Sequence, residues 1–230
     1  MDTTWIAFLI SFTLLCSTST ASFLYGQPCS VRNTAHLYPW NWTIPKNATN
    51  CVDLTKSSNR NLANVTEFFR DVRLADTLYM DHMNLSRFPT AVIYSLPQLE
   101  MVDLSGNSIR RLPYKMYKIA HSITKLLVPE NAIFIPRRRA LFKSITIETL
   151  MLSKNEITNI SPVTFAKMPQ LKVLYLNDNK LKFVSYKMFV PLPHLLYLNL
   201  EDNYLSRIPQ KSRMPAFLKF YQIKKQKKIK

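Results

Sequence analysis

Residues 171–181 read LKVLYLNDNKL. Leucines fall at 171, 174, 176 and 181, with Asn179 among them. Neither a helical period nor simple strand alternation gives that spacing alone. The phrase recurs 24 residues later as LLYLNLEDNYL at 195–205. It is preceded at the same step by IETLMLSKNEI at 147–157, ITKLLVPENAI at 123–133 and LEMVDLSGNSI at 99–109. ADTLYMDHMNL at 75–85 is a sixth, weaker copy with Met83 at the asparagine position. The other five keep Asn107, Asn131, Asn155, Asn179 and Asn203.

A period in the twenties with L-x-x-L-x-L-x-x-N-x-L resembles the leucine-rich-repeat signature. The mechanics follow from strand alternation. Leu174 and Leu176 enter the core, Val173, Tyr175 and Asn177 face outward, and Leu181 returns inward after a bend. A buried asparagine in the bend bonds backbone groups that lack strand partners. One repeat cannot bury its own apolar face, but a stack can. The fold class expected is an α/β repeat solenoid: a horseshoe with a parallel concave β-sheet and an irregular or short-helical convex side. Pro89, Pro113, Pro136, Pro162 and Pro209 discourage long helices there. Phe165 and Phe189 share one convex position with Leu141, Tyr117 and Ile93, and are expected to fill the core from behind.

The flanks divide the chain further. Residues 1–21, MDTTWIAFLISFTLLCSTSTA, combine a short apolar run with small residues before a cleavage site after Ala21 and read as a secretory signal peptide. Cys16 leaves with it. Cys29 and Cys51 are expected to form a disulfide in an amino-terminal cap, residues 22–74. Six repeats occupy 75–209, starting at 75, 99, 123, 147, 171 and 195. Sequons at Asn41, Asn47, Asn64, Asn84 and Asn159 agree with a secreted, extracellular glycoprotein. No other segment is long and apolar enough to span a membrane.

The formal charge is +17, pointing to an acidic partner. Outward strand positions nevertheless carry Asp76, Asp81, Glu100, Asp103, Glu130, Glu148, Asp178, Glu201 and Asp202 against Lys125, Lys154 and Lys172. The concave sheet is thus expected to be acidic, with the positive charge at Arg137–Arg139 and in a basic tail, residues 210–230. Tyr79, Leu127, Met151 and Tyr175 take equivalent concave positions, with Val173 and Tyr197 on adjacent rows. Such side chains are common interface anchors. They predict a protein-binding stripe of Tyr79, Leu127, Met151, Tyr175 and Tyr197, with Asp103, Asp178 and Glu201 selecting charge. In the tail, FLKFYQI either lids the last repeat or leaves the core end for a partner. Its cations suit a glycosaminoglycan or an anionic surface, or form a solvated tail.

No catalytic motif appears. His36, His82, His121 and His194 are scattered without metal-ligand spacing, and two mature cysteines make no zinc site. No enzyme activity, metal, cofactor or nucleic-acid partner is expected.

Over residues 51–209 the chain resembles secreted and ectodomain leucine-rich-repeat proteins. AHSITKLLVPENAIFIP and FAKMPQLKVLYLNDNKL are similar to insect, notably mosquito, immune leucine-rich-repeat proteins of the haemolymph. That resemblance implies innate humoral immunity, through pathogen recognition or a complement-like factor as partner. The chain lacks the coiled coil and the pairing cysteine with which those proteins join. Matrix proteins and a truncated Toll-type receptor ectodomain share the repeat and form the alternatives.

Overall fold

The computed structural model describes residues 31–32, 51–54 and 73–227, apart from 137, 208, 211, 213 and 225. Nine short strands form one sheet whose spatial order is the chain order. They are β1 (Val31–Arg32), β2 (Cys51–Asp53), β3 (Thr77–Tyr79), β4 (Met101–Asp103), β5 (Lys125–Leu127), β6 (Thr149–Met151), β7 (Val173–Tyr175), β8 (Tyr197–Asn199) and β9 (Phe220–Gln222). Every neighbouring pair is parallel. From β3 to β8 the register advances by the repeat period, so Thr77, Met101, Lys125, Thr149, Val173 and Tyr197 form one row across the sheet. A strictly sequential parallel sheet is what a one-dimensional stack of coils produces. The expected solenoid is the observed architecture.

Each coil turns on the same internal rows. Leu78, Val102, Leu126, Leu150, Leu174 and Leu198 are all fully buried, and so are Met80, Leu104, Val128, Leu152, Leu176 and Leu200. The returning halves are short, as the prolines require: α1 (Thr90–Tyr94) and 3-10 turns at Met116–Lys118 and Tyr186–Met188. Ile93, Leu141, Phe165 and Phe189 close the core from behind. Tyr117 does not join them. It is exposed, and Met116 fills that position instead. The 3-10 turn at 116–118 places Met116 inward and Tyr117 outward.

The asparagines make a ladder that runs backwards. Asn179 Nδ2 donates to the carbonyls of Leu176 in its own coil, at 3.1 Å, and of Leu152 in the preceding one, at 2.8 Å. Its Oδ1 accepts from Ile157 N at 3.1 Å. Asn107, Asn131, Asn155 and Asn203 repeat this pattern. Each amide therefore serves the bend behind it. Asn107 bonds Met83 N and Leu85 N, so the first coil's bend is closed although Met83 replaces its own asparagine.

The stretch expected as a separate tail differs from that reading. Leu218 and Ile223 are buried, and β9 pairs with β8. Tyr221 Oη bonds Pro209 O at 3.1 Å, and burial pushes its phenol pKa upward. Residues 214–227 are thus a seventh coil. It is disguised by a 23-residue step, tyrosine for leucine at 221 and glutamine for asparagine at 226. At the other end β1 and β2 continue the same sheet, with Val52 and Leu54 buried. Cys51 is disulfide-bonded. Its expected partner Cys29, the leader 1–21 and the sequons Asn41, Asn47 and Asn64 lie outside the described residues.

Candidate functional site: the concave face and its turn ridge

The concave stripe is assembled as read but not displayed as read. Tyr79, Leu127, Met151, Tyr175 and Tyr197 do line up on the outer side of the sheet, joined by Met101 and Val173 in a second apolar cluster, with Cys51 packed against it. Tyr175 and Tyr197 stack with ring centroids 4.8 Å apart. Yet the five predicted stripe residues are only 2–5 % exposed. They form a packed floor rather than solvent-facing anchors. Alternation told which face they occupy; it carries no information on how large neighbours in successive strands cover one another.

The charge pattern changes for a related reason. Side chains one repeat apart lie side by side, so acids meet lysines of the next coil. Glu130 pairs with Lys154 at 2.8 Å, Glu148 with Lys172 at 2.7 Å and Glu156 with Lys180 at 2.8 Å. Asp178 accepts from Lys227 of the seventh coil at 3.4 Å. Of the nine acids read on this face, Glu130, Glu148 and Asp178 each meet a lysine, and Asp178 is not a free selector. Asp103 is a stronger correction. It is fully buried, with Oδ1 accepting from Ser105 N at 2.9 Å and from Ser105 Oγ. Oδ2 has no hydrogen-bond partner. Burial raises its pKa from 3.8 to about 6, opposed by the Ser105 bonds and His82 and reinforced by Asp81. Of the three predicted selectors only Glu201 keeps a part-exposed carboxylate without a described ion pair.

A feature that repeat reading missed lies just beyond the strands. One residue before each ladder position adopts the left-handed conformation: His82 (φ 54°), Gly106 (φ 62°), Glu130 (φ 53°), Lys154 (φ 50°), Asp178 (φ 54°) and Asp202 (φ 53°). Together with their predecessors Asp81, Ser105, Pro129, Ser153, Asn177 and Glu201 they build a polar ridge along one edge of the concave face. The signal was present as the two polar or turn residues between strand and asparagine in every copy. Gly106 is the one glycine among the six. A Cβ there would meet the His82 ring at 2.6 Å. The ring is held by Asp81 Oδ2, 2.9 Å from Nδ1.

The convex side is more basic. Arg139 and Lys143 lie over the Tyr114 ring at 5.8 and 5.3 Å, and Arg138 is exposed; Arg137 lies outside the described residues. Open surface clefts occur among the described residues. One, of about 400 Å³, is lined by Pro136, Asn159, Ile160 and Ser161, and another, of about 340 Å³, by residues 183–186, Arg207, Pro209 and Gln210. The sequon residues Asn84 and Asn159 are both exposed. Among the described residues no group of three or more His, Cys, Asp or Glu side chains could hold a metal ion, and no helix is long and apolar enough to cross a membrane.

Residues 145–205 match the family model described as leucine rich repeat. No curated protein matches the sequence. Among solved structures, the chain is similar to one titled as the crystal structure of a TLR13–ssRNA13 complex, with TM-score 0.52 and 20 % identity over 60 % of this chain. The match spans only 20 % of that chain, and at this identity it concerns the fold alone. With a sequential parallel sheet, an asparagine ladder and a family match over residues 145–205, this chain has the fold of a leucine-rich-repeat solenoid.

Proposed function

We propose that the chain is a secreted, non-catalytic binding protein that engages an extracellular protein along the turn ridge of its concave face. The observation that supports this is the chemistry of the left-handed positions. The fold asks only for positive φ there, which glycine adopts without strain. A side chain in that conformation costs about 1–2 kcal/mol. Five of the six ridge positions nevertheless carry His82, Glu130, Lys154, Asp178 and Asp202. The core rows stay nearly uniform from coil to coil while the ridge differs at each step. Strain retained at solvent-facing, chemically varied positions is typical of surfaces used for recognition. The apolar floor stiffens the sheet beneath them.

The leader, the sequons and the resemblance to haemolymph proteins favour humoral immunity as the setting and a complement-like factor as the partner. The test is capture from extracellular fluid on the tagged chain, identified by mass spectrometry, alongside E201K/D202K and K154E variants. A specific partner lost by the ridge variants supports the reading. A partner retained equally by all of them rejects the ridge as its contact.

A further inference from the structure

The seventh coil departs from the others in one direction. The position just before the first core residue is polar in five of the six earlier coils, Gln98, Ser122, Thr146, Gln170 and His194, and is Leu74 in the first. In the last coil it is Phe217, 62 % exposed. The ridge position held by Glu201 in the sixth coil is held by Lys224, which is exposed. The outward position between them runs Asp76, Glu100, Thr124, Glu148, Lys172, Leu196 and ends at Lys219, also exposed. Phe220 ends the concave row that contains Tyr197, its ring centroid 6.3 Å away, and is 39 % exposed. Arg207 adds a further exposed cation nearby in the chain. After Asp202 the sequence holds nine Lys or Arg residues and no Asp or Glu.

From this we infer that the β9 end of the solenoid docks on an anionic lipid bilayer. Phe217 and Phe220 enter the headgroup boundary, and Arg207, Lys219 and Lys224 meet the lipid phosphates and carboxylates. Charge complementarity alone would also suit a sulfated polysaccharide. Such a polymer gains nothing from two exposed phenylalanines beside its cations. A bilayer takes up both the aromatic and the cationic groups. Docking through the last coil leaves the ridge from Asp81 to Asp202 open, so this inference stands apart from the ridge reading.

The experiment is co-sedimentation of the full chain with phosphatidylserine-containing vesicles and with phosphatidylcholine vesicles. Binding is expected only to the former, falling as salt rises. F217S/F220S and K219E/K224E should each weaken it about tenfold, the scale for removing apolar burial or two surface cations. F217W provides a readout independent of affinity. Its emission should shift to the blue on anionic vesicles and be quenched by brominated acyl chains. The inference is overturned if the parent chain ignores anionic vesicles, if F217S/F220S binds them as the parent does, or if F217W emission does not move. Retention on heparin that both phenylalanine substitutions leave intact, without vesicle binding, assigns the surface to a polysaccharide instead. None of these outcomes bears on capture by the ridge.

Discussion

Gln226 stands to Leu200 as Asn203 stands to Leu176: each side-chain amide donates to the carbonyl of the preceding coil, at 3.0 and 2.9 Å. Each also accepts from that coil's returning backbone, Leu205 N for Gln226 and Leu181 N for Asn203, both at 3.1 Å. The longer glutamine does the ladder's work in a coil one residue shorter than the rest. The sixth coil's bend is therefore satisfied in the same way as those before it.

The two rungs should differ in weight. Asn179 is nearly inaccessible, whereas Gln226 is half-buried. Asn179→Ala leaves several buried backbone groups unpaired and should cost about 3 kcal/mol. Gln226→Ala should cost about 1 kcal/mol and should speed exchange of the Leu205 amide selectively. Denaturant titration and hydrogen exchange check both. Equal losses would mean that the ladder is not graded by burial.

Gly106 and His82 are coupled sterically. Gly106→Ala meets the His82 ring and also forces a side chain into positive φ. The substitution should cost about 2 kcal/mol in the parent and about 1 kcal/mol in a His82→Ala background, where only the backbone cost is left. A double-mutant cycle by thermal or denaturant unfolding measures the difference.

Asp103 makes stability fall as pH rises. Its folded pKa of about 6 exceeds the unfolded value near 3.8, so the folded state holds the extra proton between them. The penalty is absent below about pH 4, grows through the window and is complete above about pH 6, at about 3 kcal/mol. Asp103→Asn should therefore stabilise the chain at pH 7.5 and show little advantage at pH 4. Melting temperatures of the two proteins across that range decide it.

The concave stripe should behave as core. Tyr175→Ala should cost about 3–5 kcal/mol, like other truncations of buried aromatics. Tyr197→Phe loses the bond from its hydroxyl to Gln222 Oε1, 2.7 Å, and should cost about 1 kcal/mol. Tyr94→Ala, at a residue 68 % exposed, should stay within about 0.5 kcal/mol of the parent. Chemical denaturation of the three variants tests the ordering.

The repeat determined a great deal unaided. Its period names the solenoid, its alternation assigns Leu174 and Leu176 to the core and Tyr175 to the other face, and its asparagines mark the bends. These are local rules, and each coil states them again. What the sequence could not carry were relations between coils. Whether Tyr175 is open or covered depends on Tyr197, one coil away. Whether Glu130 is a free acid depends on Lys154. Whether Asp103 faces water depends on the neighbours of its strand. The seventh coil needed a partner strand to show that Tyr221 and Gln226 occupy the places of leucine and asparagine. The pattern along the chain decides which way each side chain points; only stacking the coils decides what it meets there, because burial and charge pairing belong to pairs of residues a full turn apart.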